Sequence, residues 1–278
     1  MKLLTYVGYF SRLRALLGLR AACVFALAHA QNKLSPPREG NLARVPVGPY
    51  VFSFPSLVFF ESLVTEIFFK ETYYLAPTKE PIRAIDCGAN IGVSLLYLKL
   101  RAPQARVLCF EPNPAARAVL EKNIAANGWE RDVQVLPYAL GKERGTVDFF
   151  VDKEAATSSG GSTLRHQKNE DRHLDTYPVE TDLLSRYIDG DIDFLKIDIE
   201  GGEFDVLEEM SAQRTLRRVA AVQLEYHYIP GCSTRPLSDM LALLESEGFH
   251  TFVESNVPPY RVIGHDVWHT YMVFAWRS

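Results

Sequence analysis

Asp86-Cys87-Gly88-Ala89-Asn90-Ile91-Gly92 is the stretch on which the fold turns. It follows a short apolar run, Ile82–Cys87, and precedes a helical pattern over Ile91–Leu100. Strand, glycine-rich turn and helix in that order open a nucleotide-type βα unit. Gly88 permits the tight turn, and Gly92 lets the helix start lie close to the strand. Asn90 suits a left-handed conformation or a helix cap. The turn then presents backbone N–H groups at a helix N-terminus, where a ligand can accept them.

Outward from this turn the pattern alternates. Ala105–Phe110 reads as a second strand, Ala115–Ala126 as a helix closed by Asn127-Gly128, and Val133–Leu136 as a third strand. Val147–Val151 reads as a hairpin arm. Ile192–Ile199 is a buried-type strand, and Phe204–Met210 opens a helix. Val219–Leu224 (strand), Leu237–Glu247 (helix), Phe249–Glu254 (strand) and Thr270–Trp276 (last strand) follow. Before the turn, residues 56–75 predict a helix stopped by Pro77 and Pro81, and residues 31–50 read as a linker. Such alternation predicts a mainly parallel sheet with helices on both faces, its ligands outside the carboxyl ends of the strands.

Composition narrows the class. The 278 residues are 47% hydrophobic and 23% charged, which excludes a disordered, collagen-like or coiled-coil chain. Cys23, Cys87, Cys109 and Cys232 are scattered and form no CxxC, which excludes a disulfide scaffold or zinc ribbon. Cys87 and Cys109 fall in strands and read as inert core thiols. The net charge of −4 argues against nucleic-acid partners. That charge is uneven. Residues 1–38 carry six bases and no acid, leaving 24 bases and 34 acids on the body. For residues 1–30 three readings stay open: a helix packed on the body, a peripheral membrane contact, or a cleaved signal ending at Ala28-His29-Ala30.

Two carboxylates frame the nucleotide-type site. Glu111 comes nineteen residues after Gly92, at the end of the second strand, where it can accept both hydroxyls of a ribose. The other reading of Glu111 is an acid favoured by a helix N-terminus. Asn90 stands where a dinucleotide motif needs glycine, and Asp86 would repel a pyrophosphate. A carboxylate there suits a cationic sulfonium ligand with an α-amino group, so the turn favours S-adenosylmethionine over NAD. A second group follows. Lys196, Asp198 and Glu200 alternate along one strand, and Glu225 and His227 end its expected neighbour. Asp198, Glu225 and His227 are expected to converge beneath a substrate hydroxyl, His227 or Asp198 taking its proton. A structural pairing of Lys196 and a purely structural His227 remain as other readings. A divalent metal is not favoured; if one is held, Asp198 and Glu225 are its expected ligands.

Taken in order, Asp86–Gly92, Phe110-Glu111-Pro112-Asn113, Ala139-Leu140-Gly141, Asp193–Glu203 with its Lys196-x-Asp198-x-Glu200-Gly201-x-Glu203 pattern, and Leu224-Glu225-Tyr226-His227 resemble the FkbM family of S-adenosylmethionine-dependent methyltransferases. The similarity covers about residues 45–255. It implies an α/β, doubly wound, Rossmann-like class I methyltransferase sheet, mainly parallel with an antiparallel last strand. It also implies methyl transfer to a hydroxyl of a sugar, glycolipid or related natural product. Cofactor contacts are then expected from Asp86, Gly88, Ala89, Asn90, Gly92, Glu111, Pro112, Asn113, Ala139 and Leu140. Catalytic roles fall to Asp198, His227, Glu225 and Lys196. Residues 1–44 are expected as a basic extension and 45–278 as the catalytic domain, in a cytoplasmic protein with a small-molecule or glycan acceptor. The rival readings are a non-catalytic scaffold that keeps the fold and a nicotinamide-dependent enzyme. Ser158–Asp175, with His166 and His173, reads either as a lid over the site or as a surface loop. His265 and His269 are assigned surface or packing roles.

Overall fold

The computed structural model describes residues 42–152, 162–163, 174–228, 235–255 and 269–277. The basic head, His166, His173, His265, Cys23 and Cys232 lie outside the described residues. Seven strands form the central sheet: β3 (Arg83–Cys87), β4 (Arg106–Phe110), β5 (Val133–Leu136), β9 (Phe194–Ile197), β10 (Ala221–Tyr228), β11 (His250–Ser255) and β12 (His269–Trp276). Their order is β11-β12-β10-β9-β3-β4-β5. Neighbours from β5 to β10 are parallel, and β12 runs antiparallel to both β10 and β11. The expected mainly parallel sheet with an antiparallel last strand is therefore present.

Helices α2 (Val93–Arg101), α3 (Pro114–Asn127), α4 (Glu203–Ala212) and α5 (Leu237–Ser246) cover the sheet. Successive strand residues feed opposite cores. Ala84 and Val107 pack into one cluster with Phe52, Phe60 and Leu95, while Ile85 and Leu195 join the other with Val206 and Leu244. Burial on both faces explains why these strands read as continuous apolar runs. Cys87 and Cys109 are buried free thiols, as the sequence reading has them.

Two stretches depart from the sequence reading. The supposed linker over 31–50 contains structure at its end: β1 (Ala43–Val47) pairs antiparallel with β2 (Tyr50–Phe54). Side chains of α3 hold this hairpin in place. Asn123 accepts from the Ser53 N–H at 2.7 Å and donates to the Ser53 carbonyl at 3.0 Å; Asn127 does the same for Val51 at 2.8 Å in each direction. Two amides thus satisfy a strand edge that has no further strand beside it among the described residues. The expected helix over 56–75 is shorter. α1 (Leu57–Val64), capped by Ser56, runs into a π turn over Thr65–Phe69, and Glu71 at φ 51° ends it.

A small second sheet joins β6 (Ala139–Leu140), β7 (Gly145–Asp152) and β8 (Leu174–Asp182) in the order β6-β8-β7. The hairpin arm expected at Val147–Val151 is β7, and its partner β8 is new. Pro178 and mostly solvent-facing side chains hide β8 from a reading of apolar alternation.

Candidate active site

β3 ends at Cys87, and the chain turns through Gly88 (φ 81°), Asn90 (φ 50°) and Gly92 (φ 93°) into α2. A Cβ on Gly88 would lie 1.8 Å from the Asp198 carbonyl oxygen, so only glycine fits where the two strand ends approach. A Cβ on Gly92 would meet Leu120 of α3 at 2.7 Å. The close approach at Gly92 is therefore to α3, not to the strand as expected. Asn90 adopts the left-handed conformation, and its side chain accepts from Ile91 N–H at 2.7 Å.

Asp86 sits elsewhere than the sequence reading places it. It is fully buried, accepts from Ser94 Oγ at 2.5 Å and pairs with Lys196 Nζ at 3.0 Å. Its charge is answered inside the protein by Lys196, and Asp86 is not among the residues that line the cavity. The register explains this: Asp86 on β3 lies opposite Lys196 on β9. Lys196 also donates to the Gly88 carbonyl at 2.7 Å and lies over the Tyr73 ring at 5.1 Å. Its ammonium braces the turn, the structural pairing that the sequence reading left open, and it also lines the cavity 3.7 Å from Asp198 Oδ2. Burial alone would lower the Lys196 pKa; Asp86 and then Asp198 outweigh burial and raise it.

A cavity of about 250 Å³ opens at the carboxyl ends of the central strands. One half is lined by Gly88, Ala89 and Asn90, by Glu111, Pro112 and Asn113, and by Ala139 and Leu140. Glu111 Oε2 accepts from the Asn90 N–H at 2.7 Å and Oε1 from the Asn113 N–H at 2.8 Å. Burial pushes its pKa up to about 7, against the pull of these two N–H donors. Asn113 caps α3, accepting from the Ala115 and Ala116 N–H groups.

The other half is acidic. β9 ends at Ile197, so Asp198 and Glu200 stand on the following loop rather than on the strand, with Glu200 at φ 59°. β10 brings Glu225 and His227. Ligating atoms of Asp198, Glu200 and His227 lie within 4.8 Å of one another. His227 Nδ1 is 2.9 Å from Glu203 Oε1, and Nε2 is 3.5 Å from Glu200 and 3.9 Å from Glu225. Burial alone would depress the His227 pKa, but Glu203 and Glu200 outweigh it and hold the imidazole well above its usual 6.5. His227 also lines the cavity, so its contacts carry both the structural reading and the expected base role. Burial, then Asp198, pushes Glu225 up to about 9.

Two residues of this half escape a motif-based reading. Tyr73, itself buried, donates its hydroxyl to Asp198 Oδ2 at 2.9 Å. Glu66, in the π turn, shares a hydrogen bond with Glu225, and burial raises its pKa. Both come from the segment before β3. Their only sequence signal is polarity inside an apolar helical run. Near the expected lid, Ser162 Oγ donates to the Glu200 carbonyl at 2.8 Å, and Thr163 lines the cavity.

A Rossmann-like sheet with an antiparallel last strand, a glycine-rich turn after its first central strand and a buried acid after the next define a class I methyltransferase using S-adenosylmethionine. The family model and the curated relatives agree. The model of the methyltransferase FkbM domain matches residues 86–251. Methyltransferase sdnD of Sordaria araneosa is 30% identical over 213 residues, 66% of this chain and 80% of that protein. The 2-O-methyltransferase NoeI of Sinorhizobium fredii is 28% identical over 162 residues, 51% of this chain and 62% of that one. Among solved structures, M. capricolum TrmK in complex with S-adenosylhomocysteine aligns over 75% of this chain and 66% of its own at 11% identity and a TM-score of 0.40. The chain belongs to the FkbM methyltransferase family. The scaffold and nicotinamide readings fall away. Among the described residues no helix is long and apolar enough to cross a membrane.

Proposed function

We propose that this methyltransferase moves the methyl group of S-adenosylmethionine to a hydroxyl oxygen of a sugar, glycolipid or related natural product. The observation that carries the reading is the acidic lining of the cavity, where Asp198 and Glu200 lie close together as acceptors for a hydroxyl proton. NoeI, a relative, is named a 2-O-methyltransferase. The hydroxyl oxygen attacks the methyl carbon, the S–CH₃ bond breaks with its electron pair going to sulfur, and the proton passes to Asp198. The sulfonium is already activated, so alignment of oxygen, carbon and sulfur is the protein's main contribution. The test uses ¹³C-methyl donor with cell extract and NMR of the labelled fraction. Ether O-methyl signals in glycans or glycolipids are expected; label confined to nucleic acid or protein would sink the reading.

On the cofactor side, Glu111 is assigned to the ribose hydroxyls. Glu111→Ala should weaken S-adenosylhomocysteine binding by roughly 2–4 kcal/mol, the loss of two hydrogen bonds to a charged group. The wild-type affinity should also rise from pH 6 to 8, because the carboxyl held to about 7 by burial ionises in that window. In the variant the affinity should be flat there. Calorimetry at several pH values checks both, and a wild-type affinity without a rise would remove Glu111 from the ribose. The sign for the unliganded fold is opposite. Between about 4.5 and 7 the native state binds more protons than the unfolded one, so this group's contribution to stability falls as pH rises.

On the acceptor side, Tyr73 is a positioning residue acting through Asp198. Tyr73→Phe keeps the ring over Lys196 and deletes one hydrogen bond to a carboxylate. A fall of about 10- to 100-fold in kcat is expected, with S-adenosylhomocysteine binding unchanged. An unaltered kcat would leave Tyr73 with a packing role only.

A further inference from the structure

We infer that Asp198, Glu200 and His227 form a site for one divalent first-row cation, of the Mn²⁺ kind, on the acceptor side of the cavity. The proposal deepens the reading above and rests on it for the ion's role, though not for the ion's binding. Their ligating atoms lie within 4.8 Å of one another, a span that small rotations of two partly exposed carboxylates close to coordination distance. This is a mixed nitrogen and oxygen set. Imidazole favours first-row metals and carboxylate favours hard ions, so Mn²⁺ suits it better than Ca²⁺.

The imidazole is arranged for the task. Its Nδ1 faces Glu203 at 2.9 Å, which leaves Nε2 directed at Glu200 and Glu225. A carboxylate behind one ring nitrogen is the arrangement that orients a metal-binding histidine and strengthens the other nitrogen as a donor. Glu203 supplies an independent observation. It is fully buried, its carboxylate is aimed at His227, and its Oε2 has no hydrogen-bond partner among the described residues. Its Oε1 accepts from the Gly201 N–H at 2.9 Å and the Ile199 N–H at 3.4 Å, so Oε2 is the atom left without a donor. Glu66, Glu111, Asp198, Glu200 and Glu225 line the cavity, and Asp86 and Glu203 are buried against Lys196 and His227. Among the described residues Lys196 and His227 pair with these carboxylates, and Lys196 is held by Asp86 and the turn. A divalent ion would bring positive charge to these carboxylates. It would orient the acceptor hydroxyl and lower its pKa, with Asp198 then acting by holding the ion.

The test needs no acceptor. Full-length protein, freed of metal with EDTA and dialysed, is titrated with Mn²⁺ and followed by the electron paramagnetic resonance of free Mn²⁺ and by calorimetry. One site is expected, with ¹⁴N coupling from an imidazole in the bound spectrum. Asp198→Asn and His227→Gln should each weaken binding at least tenfold, His227→Gln abolishing the ¹⁴N coupling. Glu203→Gln should weaken it about 10- to 100-fold. S-adenosylhomocysteine binding and the melting temperature report folding in each variant; Asp198→Asn, at the more exposed position, serves if His227→Gln does not fold. No Mn²⁺ binding up to 1 mM, or binding that the folded variants leave unchanged, overturns the site. Mn²⁺ binding with no O-methyl product from any extract would instead overturn the proposed acceptor and leave the metal site standing.

Discussion

An Asp198→Asn variant is expected to lose about 10²–10⁴-fold in turnover, the range for removing a positioned proton acceptor. Its affinity for S-adenosylhomocysteine should stay within about tenfold, or 1.4 kcal/mol. The asymmetry follows from position. Asp198 leaves β9 one residue beyond its end, and its side chain touches Tyr73 and Lys196, whereas the turn and Glu111 line the opposite half of the cavity. Its backbone is what approaches Gly88, and the substitution leaves that backbone in place. Asparagine keeps the size and can still accept from Tyr73. What disappears is the charge, and with it the ability to take a proton or hold a cation. Steady-state kinetics together with calorimetry checks both halves. Wild-type turnover in a folded variant would place the proton acceptor elsewhere and remove the convergent cluster from the chemistry.

The parallel sheet was legible because its strands are buried on two faces and its helices carry their own punctuation. Gly128 ends α3 as the left-handed stop that Asn127-Gly128 marks in the sequence. The Asp86–Gly92 turn was legible for the same reason: glycine and asparagine mark positive φ values. What could not be read was pairing across the sheet. Asp86 and Lys196 are 110 residues apart, and only the β3–β9 register shows that they pair with each other. The partner of His227 was hidden in the same way. A histidine at a strand end suggests a base, but Glu203 comes from α4, and only the fold shows its carboxylate 2.9 Å from Nδ1. Glu66 and Tyr73 were invisible because the π turn redirects the chain after Val64, placing polar side chains of an apolar segment in the cavity wall. β1 reads as linker, and β2 beyond Tyr50 carries no assignment, because the β2 edge is satisfied by asparagine amides of α3, a partner that strand alternation does not reveal.

Lys196→Met should cost the fold about 3–5 kcal/mol, the range for breaking a buried ion pair by removing one partner. Methionine fills most of the volume, so the loss is electrostatic rather than a cavity. Asp86 would be left charged at zero exposure with only Ser94 Oγ as donor, and the Gly88 carbonyl would lose its 2.7 Å partner. A drop of that size corresponds to roughly 6–20 °C in melting temperature for a domain of about this length. The neighbours make the site unforgiving: Lys196 sits on a central strand between β3 and β10, and its side chain is 3% exposed, so water cannot take over. Adding Asp86→Asn should recover part of the loss, since a neutral amide can still accept from Ser94 while no unpaired charge remains. Urea titrations of the two variants measure this directly. If Lys196→Met melts with the wild type, Asp86 is neutral in the fold and the ion pair does not hold the turn. If the double variant is no more stable than Lys196→Met alone, the cost lies in the lost carbonyl contacts, and the lysine braces the turn through Cys87 and Gly88 rather than through Asp86.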